Sequence, residues 1–402
     1  MTESDAKTGN ITDLTSRSAL RVLVGGMFGM MLAMGIGRFA FTPILPLMQR
    51  DLGISHSLAG GLASLNYVGY LIGALVCALW PQLLRSTLLN VSALVSSIAT
   101  TLLMGMTHSP FWWGSMRLVA GVASAILFVV IAVEVAENLV HSRHSRWSSA
   151  LYGGIGLGIT VSGIMVPVLD RAGGWQTAWI GMGVISGLLA LGGILIAGKR
   201  QAAISVPNAS TAATGSLSGM ARLTTAYFLE GFGYIVSATF LVTMIAHTPG
   251  LSRFASLSWV AVGLAAAPST VMWQRVALRF GARQALTLAY LLQFCGIVLS
   301  IFAGDVLSTG VAAIIFGGTF LGIVSLAMAE GGRRAGSQGR RVAAILTTAF
   351  GTGQVFGPSL AGVLADRFGG FSIPLALAAA AVLIGGVLVA TDNRFAAAPP
   401  AK

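Results

Sequence analysis

Apolar runs about twenty residues long, separated by short polar or turn-forming stretches, repeat along nearly the whole 402-residue chain. Twenty apolar residues in an α-helix cross a bilayer core of about 30 Å, so each run is predicted to be a membrane-spanning helix. Hydropathy and turn residues place twelve of them. The first six cover 22–48, 57–79, 86–106, 111–137, 148–169 and 175–197; the second six cover 221–246, 254–274, 283–303, 306–329, 342–365 and 372–391. Between the sixth and seventh, Gly198 to Gly219 opens with Lys199-Arg200 and continues rich in Ala, Ser, Thr and Asn, which reads as a linker. The expected architecture is an all-α polytopic membrane protein of two pseudo-symmetric six-helix halves, 20–198 and 220–392. An N-terminal tail (1–19), a cytoplasmic linker (199–219) and a C-terminal tail (393–402) complete it.

Composition supports that class. Only 9% of residues are charged and mean hydropathy is +0.84, whereas a soluble domain carries roughly 25% charged residues. The net charge of +12 would suit a nucleic-acid binder, but the placement of the charges does not. Of the 24 Lys and Arg, only Arg50, Arg171, Arg253 and Arg367 fall on the side away from the N-terminus; Arg38 and Arg117 lie within spans. The rest sit on the N-terminal side, as the excess of basic residues in cytoplasmic loops requires. Both termini are therefore expected inside, in a bacterial inner membrane, with no nucleic-acid partner. The first nineteen residues are polar and lead into no short apolar core with a cleavage site, so no removable signal peptide is expected. Cys77 and Cys295 fall in apolar spans and are read as packing residues.

The halves also repeat. Asp170-Arg171-Ala172-Gly173-Gly174-Trp175 recurs as Asp366-Arg367-Phe368-Gly369-Gly370-Phe371, 196 residues later, and both read as structural turns. The same offset sets Gly35-Ile36-Gly37-Arg38 onto Gly231-Phe232-Gly233-Tyr234. Parallel six-helix units of this kind enclose a central site in secondary transporters.

With these features in place, residues 20–392 resemble the major facilitator superfamily. GIGRFAFTPILPLMQ at Gly35–Gln49 narrows the resemblance to its YbfB/YjiJ-like branch, whose first helix carries G-x-G-R-F-[AS]-[YF]-T-P-x-L-P; Tyr227–Val242 is similar to that branch's seventh helix. The resemblance implies a transporter and leaves the substrate open. Arg117-Leu118-Val119-Ala120-Gly121 resembles the superfamily's R-x-x-x-G element, whose arginine is linked to proton coupling. The loop motif between spans two and three is degraded, with Gly73, Cys77, Trp80 and Arg85 but no aspartate. Its second-half counterpart survives partly, from Trp273 to Arg283. Gly153–Pro167 lacks the Gly-Pro pair that marks antiporters; a Gly-Pro stands at Gly357-Pro358 instead.

The residues themselves suggest chemistry. Arg38 is the one charge between Val22 and Met48, close to the bilayer midplane, where an arginine costs about 2.5–3.5 kcal/mol on insertion scales. It either faces a watery cavity and binds substrate or locks helix one through backbone carbonyls. Met27, Met31, Met34, Arg38 and Leu45 share a face at helical spacing, with Thr42 beside it, so a soft methionine wall leading to a guanidinium is expected. Pro43 and Pro46 are expected to kink the outer end of this helix. Glu230, on a stripe with Tyr227, Tyr234 and Ser237, is the best buried acid: a proton relay or a counter-ion for Arg38. Arg117 is either a coupling residue or a snorkelling packing residue. Glu134, seventeen residues and about 25 Å further along that helix, cannot pair with it and is either a coupling residue or part of a cytoplasmic charge network with Glu137. Asn66, Tyr70, Tyr152 and Gln354 line the cavity or are satisfied by neighbouring helices.

Enzyme signals fail. Gly193 to Lys199 approaches a phosphate-binding loop, but Arg200 replaces the required Ser/Thr and the segment ends a membrane helix. The five histidines include no His-Glu-x-x-His, so no metal is expected, and no cofactor. GGIGLG at Gly153–Gly158 reads as close helix packing. The expected protein is a monomeric secondary active transporter of a small organic anion or zwitterion, proton-coupled and working by alternating access. A broad-specificity drug or metabolite efflux pump and a non-transporting receptor or scaffold are the alternatives.

Overall fold

The computed structural model describes residues 3–198, 219–335 and 338–395. The expected linker (199–219) lies outside the described residues except for Gly219, as does the C-terminal tail from residue 396 onwards. Among the described residues the secondary structure is helical throughout, and ten helical segments are long and apolar enough to cross a membrane.

Three segments depart from a simple succession of rods. The first span is broken: α1 (Glu3–Met30) runs into a π-helical turn at Met31–Ile36, an irregular turn at residues 37–40, and a new helix α2 (Phe41–Leu52). The expected N-terminal tail thus enters α1. Gly37 and Phe39 donate to the carbonyls five residues back, at Leu32 and Met34. Pro43 and Pro46 both sit inside α2. A proline is tolerated in a helix's first turn, where its missing N–H is an orphan anyway. The chain therefore restarts at Phe41 with Pro43 in that turn, and the irregularity falls upstream of both prolines.

The fifth and sixth runs form one 45-residue element, α6 (Gly153–Ala197), interrupted at Gly173 and Gly174. The interruption is a reversal. Leu169 and Gly181 touch although twelve residues apart, and Gly154 and Gly193 both lie against α1, at Met27 and Gly25. Gly174 takes φ 74°, a conformation costly for any residue with a Cβ, so the Asp-Arg-x-Gly-Gly stretch is a hairpin turn. The third departure is α11 (Gly339–Phe368): it is 30 residues long but lies outside the ten most apolar segments.

The remaining helices are α3 (His56–Leu79), α4 (Thr87–Met104), α5 (Pro110–His141), α7 (Ala221–His247), α8 (Ala255–Phe280), α9 (Ala282–Phe302), α10 (Val306–Ala335) and α12 (Ser372–Ala390). Elements distant in sequence pack along their length, chiefly α3 on α11, α6 on α8, α7 on α11 and α12, and α2 on α7. Glycine makes this possible. A Cβ on Gly154 or Gly158 would lie 2.4 or 2.7 Å from the carbonyl oxygen of Met27 or Met31, and one on Gly156 would strike α8 at Ala267. GGIGLG is thus a two-sided packing stripe. At one end, the Asp366 carboxylate accepts from the backbone N–H groups of His56 (3.0 Å) and Ser57 (2.7 Å) and from the Ser57 hydroxyl. That carboxylate caps the positive N-terminus of α3 and ties α11 to it. Beside it, Arg50 bridges Asp51 and Asp170.

Candidate functional site

The break in the first span decides where Arg38 goes. A π turn adds a residue to the helical repeat, so the 3.6-residue face expected to join Met27, Met31 and Met34 to Arg38 is lost. The backbone of Met27 and Met31 packs against α6, at Gly154 and Gly158.

Arg38 is 3% exposed. Its guanidinium lies 4.5 Å from the Tyr67 ring centroid, 4.6 Å from Tyr70 and 5.5 Å from Phe39, and Tyr234 of α7 acts on its charge as well. Cation–π contact of this kind is worth up to about 2 kcal/mol when desolvated. It does not replace hydrogen bonds: Nε and Nη2 are buried with no partner. Among the described residues no carboxylate forms an ion pair with either Arg38 or Arg117.

Arg117, on α5, is also buried, 4.7 Å over the Phe41 ring. Its Nε reaches the Leu62 carbonyl at 3.5 Å, and Nη2 has no partner. The two guanidinium groups are close enough to repel one another, with Tyr67 acting on both. Two uncompensated cations in one buried region concentrate positive potential, because low dielectric lengthens the reach of charge. Asn66 spans α3 to α5, donating to the Arg117 carbonyl at 2.9 Å, while its own Oδ1 is unpartnered.

From the other side α7 contributes Tyr234, whose hydroxyl accepts from Gln354 of α11. The Tyr234 ring stacks between Phe320 (5.7 Å, 6°) and Phe350 (5.4 Å, 9°), and Phe39 stands edge-on to Phe320. Thr42 donates to the Ala238 carbonyl at 2.6 Å, so its hydroxyl fastens α2 to α7. Tyr152 lies at the end of the short helix before α6, 5.9 Å from Phe128, whose ring is 6.5 Å from Tyr70. Glu134 lies on α5, which runs unbroken from Arg117, and is half-buried with partners of its own.

Glu230 is fully buried and turns to α9. Its Oε1 accepts from Gln293 at 2.7 Å, Gln293 accepts from Thr319 of α10 at 3.1 Å, and Oε2 has no partner. It forms no ion pair with Arg38. Sequence reasoning missed Tyr67, Gln293 and Thr319. Tyr67 and Tyr70 are three apart and so share a helix face, a spacing passed over in favour of Asn66 and Tyr70. Gln293 is the one amide in the middle of its span, nine residues past Gln284 at the span's end. Among the described residues no cluster of metal-ligating side chains exists.

The pattern of the family described as "Uncharacterised MFS-type transporter YbfB" matches residues 30–390. A curated protein of Streptomyces coelicolor, "Probable transporter SCO4007", is 25% identical over 150 residues, which are 37% of this chain and 34% of that protein. The match therefore spans about a third of that relative. Among solved structures, two crystal structures of the nucleoside transporter NupG superpose, one with a TM-score of 0.68 and the other, of a point mutant, with 0.67. They share 12% and 13% identity, and the superpositions cover 92% of this chain and 97% and 98% of theirs. At that identity the likeness is one of fold.

Proposed function

The chain belongs to the YbfB family of MFS-type transporters, whose pattern spans residues 30–390, and from that premise we propose that it moves a small organic anion or zwitterion by proton-coupled alternating access. It is a multi-pass membrane protein, and its relatives are transporters, not enzymes. In this reading the polypeptide crosses a bacterial inner membrane twelve times, the Gly173-Gly174 hairpin separating crossings five and six and α11 supplying the eleventh. Residues 20–198 and 220–392 form the two halves, with the linker 199–219 and both termini (1–19, 393–402) cytoplasmic. It works as a monomer without a cofactor.

One observation carries the proposal: Arg38 is buried at the broken first helix with two guanidinium nitrogens unpartnered. A permanently buried cation costs several kcal/mol unless something compensates it, and an anionic solute arriving from water is the compensation that a transporter's cycle provides. Arg38, Tyr234, Gln354 and Asn66 form the binding region in this reading. Thr42 and Tyr152 support it from its edges, and Arg117 holds the positive potential. Glu230 carries the proton; Tyr234, one turn further along α7 and bonded to Gln354, couples its state to the Arg38 site. Glu134 is assigned to the cytoplasmic end of the pathway. The Asp366 cap on α3 and the Arg50 bridge close the outer face and must open once per cycle.

The test is flux in proteoliposomes. An inside-alkaline pH gradient is expected to drive accumulation of labelled small organic acids by the wild type, and Arg38→Ala is expected to abolish it. Equal, gradient-independent leakage with both proteins would end the proposal.

A further inference from the structure

Resting on the anion-transport reading, we infer that Arg38 binds a carboxylate through its Nε–Nη2 edge and that the carboxylate belongs to a substrate with an aromatic ring. Nε and Nη2 form one side of the guanidinium fork and point the same way, and both lack partners in a side chain that is almost wholly buried. That edge matches the two oxygens of a carboxylate in parallel N–H···O bonds; an ammonium cannot reproduce it. Tyr67 and Tyr70 lie against the guanidinium, Tyr67 also within hydrogen-bonding reach of it, which leaves the unpartnered Nε–Nη2 edge as the route for a ligand.

The second part is what surrounds the edge. Phe39 follows Arg38 in sequence and stands edge-on to Phe320; Phe320, Tyr234 and Phe350 form a near-parallel stack. Phe39, 5.5 Å from the guanidinium, connects this stack to Arg38. A planar aromatic body would join a cluster already made of rings at stacking and edge distances, whereas a sugar or polyol would leave its hydroxyl groups facing ring carbons without partners. The orphan acceptors Asn66 Oδ1 and Gln354 Oε1 suit a ring that also carries an O–H or N–H donor. The carboxylate, the ring and one donor together define the class.

The experiment uses the full-length protein in nanodiscs, read by intrinsic tryptophan fluorescence, since Trp259 lies 6.4 Å from Phe39. The probes are benzoate, 4-hydroxybenzoate and phenylacetate, each with its neutral amide, together with hexanoate and uridine. Each aromatic acid is expected to bind about tenfold to hundredfold more tightly than its amide, the range of a charge-assisted pair, and more tightly than hexanoate. Arg38→Lys is expected to erase the preference for acid over amide. These comparisons stand on the wild type alone should the variant fail to fold. Acids and amides binding alike, or no acid binding at all, overturns the inference. If uridine binds and is accumulated while the acids are ignored, the transporter reading survives and the carboxylate falls. If the acids bind but a pH gradient drives no flux, the carboxylate survives and proton coupling falls.

Discussion

Two buried arginines in this protein are treated in opposite ways. Arg334, at the end of α10, is 7% exposed in its side chain and reaches Glu330 and Asp392 at 2.6 and 2.7 Å. It also donates to the Gly219 carbonyl at 3.1 Å and lies over the Phe395 ring. One Arg334 nitrogen, Nη2, is left unpartnered; Arg38 is 3% exposed, has two such nitrogens, and has rings but no carboxylate among the described residues. Arg334 shows that this fold supplies acids where a cation is structural: Glu330 and Asp392 converge from two elements, with Arg333 sharing Glu330. The want of such an acid beside Arg38 is therefore a property of the site, and the polarity it retains is available to a ligand.

Four substitutions break or sharpen that contrast. Arg334→Ala carries the largest free-energy change, because it leaves the buried Asp392 carboxylate without its cation, held only, among the described residues, by the Arg394 backbone N–H. Removing one partner of a buried pair costs about 3–5 kcal/mol, so thermal unfolding in detergent should shift strongly downward while flux per folded molecule stays near wild type. Arg38→Ala should do the reverse: the melting temperature holds or rises, since no ion pair is lost and a burial cost is relieved, and accumulation of substrate falls by about a hundredfold or more. A melting temperature that collapsed with Arg38→Ala would place this residue with Arg334 as structural. Glu230→Gln should preserve substrate exchange across the membrane, measured as counterflow, and remove the response to a pH gradient. Tyr234→Phe deletes one bond to Gln354 and keeps the aromatic stack, a loss of about 0.5–1.5 kcal/mol, and should weaken binding only a few-fold in a fluorescence titration.

Several of these features were legible in the sequence because they break a local rule. One arginine in an apolar run, one acid on a polar stripe and a Gly-Gly after Asp-Arg each stand out against twenty-residue apolar segments, and each is found at a break, a buried bond or a turn. A further pair became apparent only with the structure in view: Glu330 stands 196 residues after Glu134, the offset of the other repeats. What the sequence hid follows from geometry. The π turn at Met31–Ile36 has no residue signature, so a regular helical wheel does not carry through it. The Glu230–Gln293–Thr319 chain joins α7, α9 and α10, and no spacing along one helix announces a contact between three. Tyr67 and Phe350 are ordinary apolar-span residues until packing brings them to Arg38 and Tyr234.

The central claim, that Arg38 is held open for an anionic ligand, is tested most directly by equilibrium titration of benzoate and benzamide against wild-type and Arg38→Lys protein in nanodiscs, with melting curves recorded on the same samples. The predicted result is tight benzoate binding by wild type alone, weak benzamide binding by both, and closely similar melting curves. Benzoate binding of equal strength in the two proteins, both folded, would contradict it.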